Sequence, residues 1–187
     1  MSHQGTQLKL IVQTALFAAF SYIMALFQFR IPAPVGHPFV DLGFTFVALG
    51  GLLLGWKYGT LAGVIGLGLF DITQGYANHA YLTVLEVVVL VAVVSLLARA
   101  LRHVAMVPAI ITIGITAGLT KAVTGYFRYV VESLVDFGLS LSRALQQAFV
   151  SFPADVITGI LMMIALPIIY IALHPLLKRS GLSSTIK

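Results

Sequence analysis

The chain has 187 residues, of which 59% are hydrophobic and 9% charged, and its mean hydropathy is +1.02. A soluble domain carries about 25% charged residues, so this sequence has too little polar surface to cover a globule in water. Its net charge of +5 is typical of cytoplasmic loops that face anionic lipid, and we expect no nucleic-acid partner. The absence of cysteine excludes disulfides and Cys-ligated metal sites. The composition predicts an all-α polytopic membrane protein.

Apolar runs along the chain predict six transmembrane helices. Each is long enough to cross all or most of a hydrocarbon core, for which about 20 helical residues are needed. The approximate spans are 8–29, 41–55, 59–73, 81–98, 106–129 and 148–173. Six spans use nearly the whole chain, so residues 1–187 form a single membrane domain. The sequence contains no GxxxxGK[ST] motif, and we expect no ATPase activity in it.

The second and third spans come from one apolar run over 42–70. An undivided helix of this length would reach roughly 43 Å and overshoot the membrane core. We divide the run at 55–59, where two glycines bracket a Trp, a Lys and a Tyr, the residue types that anchor a helix end at the interface. A single tilted helix is the alternative. Before this run, three prolines within 31–38 predict an extended loop.

Basic residues indicate the orientation. With a cytoplasmic N-terminus, the inner side collects seven of them: Lys9, Lys57, Arg99, Arg102, Lys178, Arg179 and Lys187. The outer side then holds Arg30, Arg128 and Arg143. The positive-inside rule therefore predicts that both termini are cytoplasmic.

Three charged residues fall at least five residues from the ends of the predicted spans: Glu86, Lys121 and Asp155. Counted from the outer ends of their helices, each lies roughly 8 to 12 Å deep. A charge facing lipid at such a depth costs about 2 to 3 kcal/mol, so the three side chains are expected to point at one another or into a water-filled cavity. This predicts an outward-opening pocket for a small polar molecule. A charge cluster that only ties the helices together is the alternative.

Other polar and aromatic residues stand near the same outer level. Asp71, Asn78 and His79 lie at the outer ends of the third and fourth spans, and Tyr126 belongs to a group of outer aromatics able to stack on a flat heterocycle. The candidate substrate-binding residues are Lys121, Glu86, Asp155, Asn78, His79, Tyr126 and Asp71. Their spacing matches no metal-ligand motif, and we expect neither a metal nor a cofactor.

Small residues form a further pattern in the first span. Ala15 and Ala19 are spaced i, i+4 in an AxxxA motif, which allows a second helix to approach closely in lipid. The pattern alone leaves open whether this face packs within the chain or docks a partner protein.

The six-span layout, the Ala15–Ala19 motif, the turn at 55–59 and the stretch 71–75 together resemble the S components of energy-coupling-factor (ECF) vitamin transporters, in the branch with riboflavin-type members. The resemblance implies a non-enzymatic, high-affinity binding subunit in a prokaryotic plasma membrane. Its vitamin would bind at the outer side under the loop 30–40. Its AxxxA face would dock on a membrane coupling subunit that works with two cytosolic ATPases.

Within this resemblance, Lys121 between Glu86 and Asp155 suits a small hydroxylated ring, and our preferred substrate is pyridoxine or hydroxymethylpyrimidine. Riboflavin is the second choice, while the lone Trp56 on the inner side argues against thiamin. Two other classes compete. A small intramembrane enzyme would use Glu86, Asp155 and His79 as acid/base groups on a lipid. A self-sufficient secondary transporter would show inverted repeats, and the two halves show no convincing one.

Overall fold

The computed structural model describes the backbone of residues 3–30 and 39–179, and the side chains over 7–30 and 39–175. The predicted loop residues 31–38 and the tail from residue 180, with Lys187, lie outside the described residues. In chain order the elements are α1 (His3–Leu26), β1 (Phe29–Arg30), β2 (Phe39–Val40), α2 (Gly43–Thr73), a 3-10 turn (Ala77–His79), α3 (Ala80–Ala100), α4 (Met106–Val135) and α5 (Leu141–Arg179).

Five helices in the described part are long and apolar enough to cross a membrane. Their outward faces carry large exposed apolar side chains, among them Leu96, Phe149 and Ile168, which are 61 to 70% accessible. A soluble protein rarely exposes so much contiguous apolar surface, whereas lipid tails solvate it at no cost. The prediction of an all-α protein with several membrane-spanning helices is confirmed.

Helix α2 is a helical hairpin. Gly55 has φ 76° and ψ −176°, a conformation open essentially to glycine alone, and it interrupts the helix. On either side of it, a Cβ placed on Gly59 would lie 2.5 Å from the Gly51 Cα, and one on Gly63 would lie 2.8 Å from Val47 Cγ1. Residues eight and sixteen apart touch only if the chain reverses, because a straight helix would separate them by roughly 12 and 24 Å. The break predicted at 55–59 is therefore present, and it lies at Gly55, the first residue of that stretch.

The two arms of α2, residues 43–54 and 56–73, lie between α1 and α3. Against α1, the ring of Phe17 contacts Gly50 of the first arm, while Gly66 of the second arm touches the Ala18 carbonyl. On the other side, Val91 of α3 packs on Gly51. Small residues thus let the two arms of α2 approach α1 and α3 closely, as expected for packing in lipid.

Helices α4 and α5 form a second tightly packed pair. A Cβ on Gly159 would lie 2.6 Å from the Gly118 carbonyl oxygen, and one on Gly114 would lie 2.9 Å from Pro167. Between the two helices the chain turns at Gly138, whose φ of 61° places it in the left-handed region. The antiparallel crossing brings the outer ends of α4 and α5 together near the candidate site.

The helices of the structure do not end where the approximate spans do. α1 ends at Leu26 rather than 29, because Phe29 and Arg30 pair with Val40 and Phe39 in an antiparallel ladder. α4 continues to Val135 rather than 129, and α5 begins at Leu141 rather than 148. Hydropathy falls where side chains become polar, but helical hydrogen bonding does not stop there. The extensions carry charged side chains, which become important below.

Candidate functional site

One face of α4 carries the polar residues of the site. Lys121, Gly125, Arg128 and Glu132 follow one another at i, i+4, i+7 and i+11, a spacing that places them in one row. Lys121 and Glu132 are buried, and the Arg128 side chain is 12% exposed. The row therefore faces the interior of the helix bundle rather than lipid.

Lys121 occupies the centre of a buried ion cluster. Its Nζ lies 3.1 Å from Glu86 Oε1 on α3 and 2.5 Å from Asp155 Oδ1 on α5. The same nitrogen stands 4.5 Å from the centroid of the Phe44 ring on α2, a cation–π contact. The structure thus brings together the three ionisable residues that were predicted to share one level. They join α3, α4 and α5, and the Phe44 ring adds α2.

Arg128 is a member of this cluster that sequence reasoning missed. Its Nη1 lies 3.6 Å from Glu86 Oε2, on the carboxylate already bound to Lys121. The predicted span ended at residue 129, so Arg128 was assigned to the outer side as a topological charge. Its spacing of seven residues from Lys121 was the signal that could have placed it on the same helix face.

Gly125 provides the space for Asp155. A Cβ at this position would lie 2.5 Å from Asp155 Oδ1, inside any normal contact distance. The carboxylate of α5 therefore rests on the bare backbone of α4, one turn from Lys121. Asp155 Oδ2 has no hydrogen-bond partner among the described residues.

A small cavity of about 10 Å³ lies beside the cluster, on the α2 side, with room for about one water. Two carboxylates, Asp41 and Asp71, line it together with Arg128 and Thr83. Asp41 Oδ1 accepts a hydrogen bond of 2.5 Å from the backbone N–H of Gly43. Burial raises the pKa of the Asp41 carboxyl to about 6, against the opposing effect of this hydrogen bond and of Lys121.

Aromatic rings cover the cavity. Phe39 of β2 lies with its ring centroid 5.7 Å from those of Phe70 and Tyr76, which stack on each other at 6.1 Å. The ladder of β1 and β2 is thereby attached to the outer end of α2 by ring contacts. Phe39 and Phe70 therefore bound the cavity on this side.

His79 connects the outer rim of the site. Its Nδ1 lies 3.1 Å from Asp136 Oδ2, and its Nε2 lies 3.8 Å from Glu132 Oε1. The 3-10 turn before α3 is thus held to the end of α4. Both acidic partners belong to a segment that was predicted to be a polar connection.

Two of the predicted site residues stand apart from the ion cluster. Asn78 is exposed, with no polar contact among the described residues. The Tyr126 hydroxyl donates to the Leu145 carbonyl at 3.3 Å, and its ring meets Phe152 edge-on at 5.6 Å. Tyr126 thus ties α4 to the start of α5. Asp71, by contrast, lines the cavity.

A second feature lies on the lipid-facing side of α1. An apolar groove of about 750 Å³ runs between α1 and the second arm of α2, and both Ala15 and Ala19 line it and are exposed. Thr14 and Ala18, on the adjacent positions, are buried toward α2. The AxxxA motif therefore forms an open surface rather than the contact that holds α1 to α2.

Within the described residues, no group of three His, Asp or Glu side chains is arranged to hold a metal ion. The model of the family "ECF-type riboflavin transporter, S component" matches residues 5–177, nearly the whole chain. The chain belongs to this family. A comparison of the sequence with curated proteins finds no match.

Membership assigns this S component to transport rather than catalysis, so the intramembrane-enzyme hypothesis is set aside. S components are membrane-embedded, vitamin-binding subunits that work with an ECF module of membrane and ATPase subunits.

Proposed function

We propose that this S component binds a pyridoxine or hydroxymethylpyrimidine-type compound at the buried ion cluster and delivers it for import. The observation that carries the proposal is the position of Lys121, held between Glu86 and Asp155. This arrangement offers a donor flanked by two acceptors, which is complementary to ring hydroxyls and ring nitrogens. The aromatic rings around the neighbouring cavity supply stacking surfaces for a flat ring.

Binding requires the cavity to expand, because about 10 Å³ accommodates neither candidate. We take the β1–β2 ladder as the movable wall, since it is short and ring contacts of Phe39 attach it to α2, although β2 also packs on α5 through the buried Val40 side of the strand. Raising it would uncover Asp41, Asp71 and the ion cluster beneath. A single six-membered ring demands less expansion than a tricyclic one, which favours the smaller substrates.

Riboflavin is the second candidate, because the matching family model is described by that vitamin. Isothermal titration of the purified chain in lipid nanodiscs with pyridoxine, hydroxymethylpyrimidine and riboflavin distinguishes the single-ring substrates from riboflavin. Submicromolar binding of one of the single-ring compounds, with riboflavin at least tenfold weaker, is the expected result. The reverse order would assign the site to riboflavin.

We further propose six membrane crossings with both termini in the cytoplasm. Reversal at Gly55 supports this count, because each arm of α2 then crosses separately and the inner turn carries Trp56 and Lys57. The protein lacks cysteine, so single-cysteine variants can be labelled without background. In intact cells, an impermeant thiol reagent should label Asn78→Cys and leave Lys57→Cys and Arg102→Cys unlabelled. Labelling of Lys57→Cys from outside would exclude the proposed arrangement.

The groove at Ala15 and Ala19 is the proposed docking surface for the ECF coupling subunit. Its apolar lining and the small exposed residues allow a partner helix to approach closely within lipid. Tagged S component expressed with the neighbouring genes of its host should co-purify one membrane subunit and two ATPases. Vitamin uptake by the S component in cells lacking every ECF ATPase would contradict this partnership.

A further inference from the structure

The outer half of the protein buries more negative than positive charge. Five carboxyl groups in the described part are only 2 to 5% exposed: Asp41, Asp71, Glu86, Glu132 and Asp155. Two permanent cations, Lys121 and Arg128, face them, and His79 adds a third only when it is protonated. Two or three carboxylates are therefore left without a balancing cation.

The surplus is localised at the cavity. Lys121 is engaged by Glu86 and Asp155, and Arg128 by Glu86, so both cations are already paired. Asp41 and Asp71 form no ion pair within the described residues, and Asp71 Oδ2 has no hydrogen-bond partner there. Asp71 is 2% exposed and lines the cavity together with Thr83 and Arg128, the nearest hydroxyl and cation to its carboxylate.

The residues between the two strands that lie outside the described part, 31–38, supply no permanent cation, and His37 among them is charged only when it is protonated. Residues 31–38 read Ile-Pro-Ala-Pro-Val-Gly-His-Pro and contain neither Lys nor Arg. The adjoining Arg30 is exposed on β1. An unpaired carboxylate in a low-dielectric interior is costly enough that it takes up either a proton or a cationic partner.

We infer that the ligand of this S component carries a net positive charge, supplied by a protonated amine that lies between Asp41 and Asp71. The inference rests on the proposed function and narrows its substrate class. Three rings, Phe39, Phe44 and Phe70, line the same cavity, and aromatic faces attract a cation that they partly desolvate. The raised pKa of Asp41 agrees with a carboxylate that awaits a cation. A neutral ring would leave both carboxylates unpaired.

The first test identifies the charge of the native ligand without assuming its identity. The full chain is purified in mild detergent from its own host, and the retained compound is released by denaturation. Capillary electrophoresis at pH 7 with mass detection then gives its direction of migration. Migration as a cation supports the inference. A neutral or anionic compound that is present at one equivalent overturns it, while the transport role tested by ECF co-purification would stand.

The second test uses a pair of matched probes on the purified protein in nanodiscs. Pyridoxamine and pyridoxine share one ring and differ in an aminomethyl group, protonated at neutral pH, against a hydroxymethyl group. We expect pyridoxamine to bind at least tenfold more tightly, and Asp71→Asn to reduce this preference to threefold or less. Gln146→Ala, at an exposed position of α5 away from the cluster, is the control that retains the preference. Equal binding of the two probes, or tighter binding of pyridoxine, would reject a cationic ligand.

Discussion

The backbone of Gly59 lies against that of Gly51, so close that a single methyl group on Gly59 would sit 2.5 Å from the Gly51 Cα. This contact fixes the crossing of the two arms of α2. Gly59→Ala is expected to destabilise the protein by several kcal/mol, because backbone atoms cannot move aside as a flexible side chain does. The measurement is the free energy of unfolding in mixed micelles of dodecyl maltoside and SDS.

Gly68 provides the matched control for Gly59. It lies in the second arm of α2 with open space around it, so a methyl group there meets no atom within 4 Å. Gly68→Ala should be neutral or stabilising by up to about 1 kcal/mol, through the better helix propensity of alanine. Equal effects of the two substitutions would mean that the hairpin crossing is looser than the contact distances indicate.

Most helical segments could be predicted from the sequence, because apolar runs of about 20 residues stand out from the polar connections between them. The break in the 42–70 run was predictable from an excess of length and from the interfacial residues at 56–58. The structure adds that Gly55, with its positive φ, is the residue at which the helix breaks. The β1–β2 ladder was not predictable, because two paired residues on each side of a proline-rich loop carry no periodic signal.

The site could be predicted in part. Glu86, Lys121 and Asp155 were found because a charge within an apolar run is conspicuous. Arg128 and Asp41 were missed because each lies at the edge of a hydrophobic run, where charges ordinarily face water. Only the packing of helices shows that these two positions are enclosed, by α3 for Arg128 and by the α2 hairpin for Asp41.

Lys121→Ala should weaken both folding and ligand binding. The substitution leaves Glu86 and Asp155 buried without their cation, and removing one partner of a buried pair typically costs about 3 to 5 kcal/mol. We expect ligand affinity, measured by titration in nanodiscs, to fall at least tenfold. Lys57→Ala, at an exposed lysine on the turn of α2, is the control with no expected effect on either quantity.

A double variant separates the two roles of Lys121. Lys121→Ala leaves the carboxylates of Glu86 and Asp155 without their cation. Adding Asp155→Asn removes one of these two charges and should recover part of the lost stability. If Lys121 contacts the ligand, the affinity stays low in this stabilised background. Full recovery of affinity along with stability would show that Lys121 only ties the helices together.

Asp41 should make stability depend on pH in mildly acidic solution. Its pKa is raised from 3.8 to about 6, so the folded protein holds this proton more tightly than the unfolded chain does. Well below pH 3.8 both states are protonated and Asp41 has no effect. As the pH rises to 6 the unfolded chain ionises first, and the folded state loses about 3 kcal/mol, a penalty that persists at higher pH.

Asp41→Asn removes this titration and keeps an oxygen able to accept the Gly43 N–H. The free energy of unfolding of ligand-free protein, measured from pH 4 to 7, should therefore fall more steeply for the wild type than for the variant. The stability gained by the variant is expected to grow by about 2 kcal/mol over this range, because the unfolded carboxyl is already partly ionised at pH 4. Parallel curves for the two proteins would show that the Asp41 carboxyl is well solvated.

Ala15→Leu and Ala19→Leu should abolish transport while ligand affinity stays within twofold of the wild type. Both alanines are exposed in the groove beside α1, and they stand ten and six residues before Ala25, where α1 reaches the cavity of the site. A larger side chain therefore obstructs a docking helix and leaves the site intact. Transport is measured as ATP-dependent uptake by cells that co-express the ECF module, and affinity by titration of the purified variants. Leu16→Phe, on an exposed position that is turned away from the groove lining, enlarges α1 without obstructing the groove and should transport normally. Matched losses of affinity and transport in the two alanine variants would instead mean that this face packs within the chain.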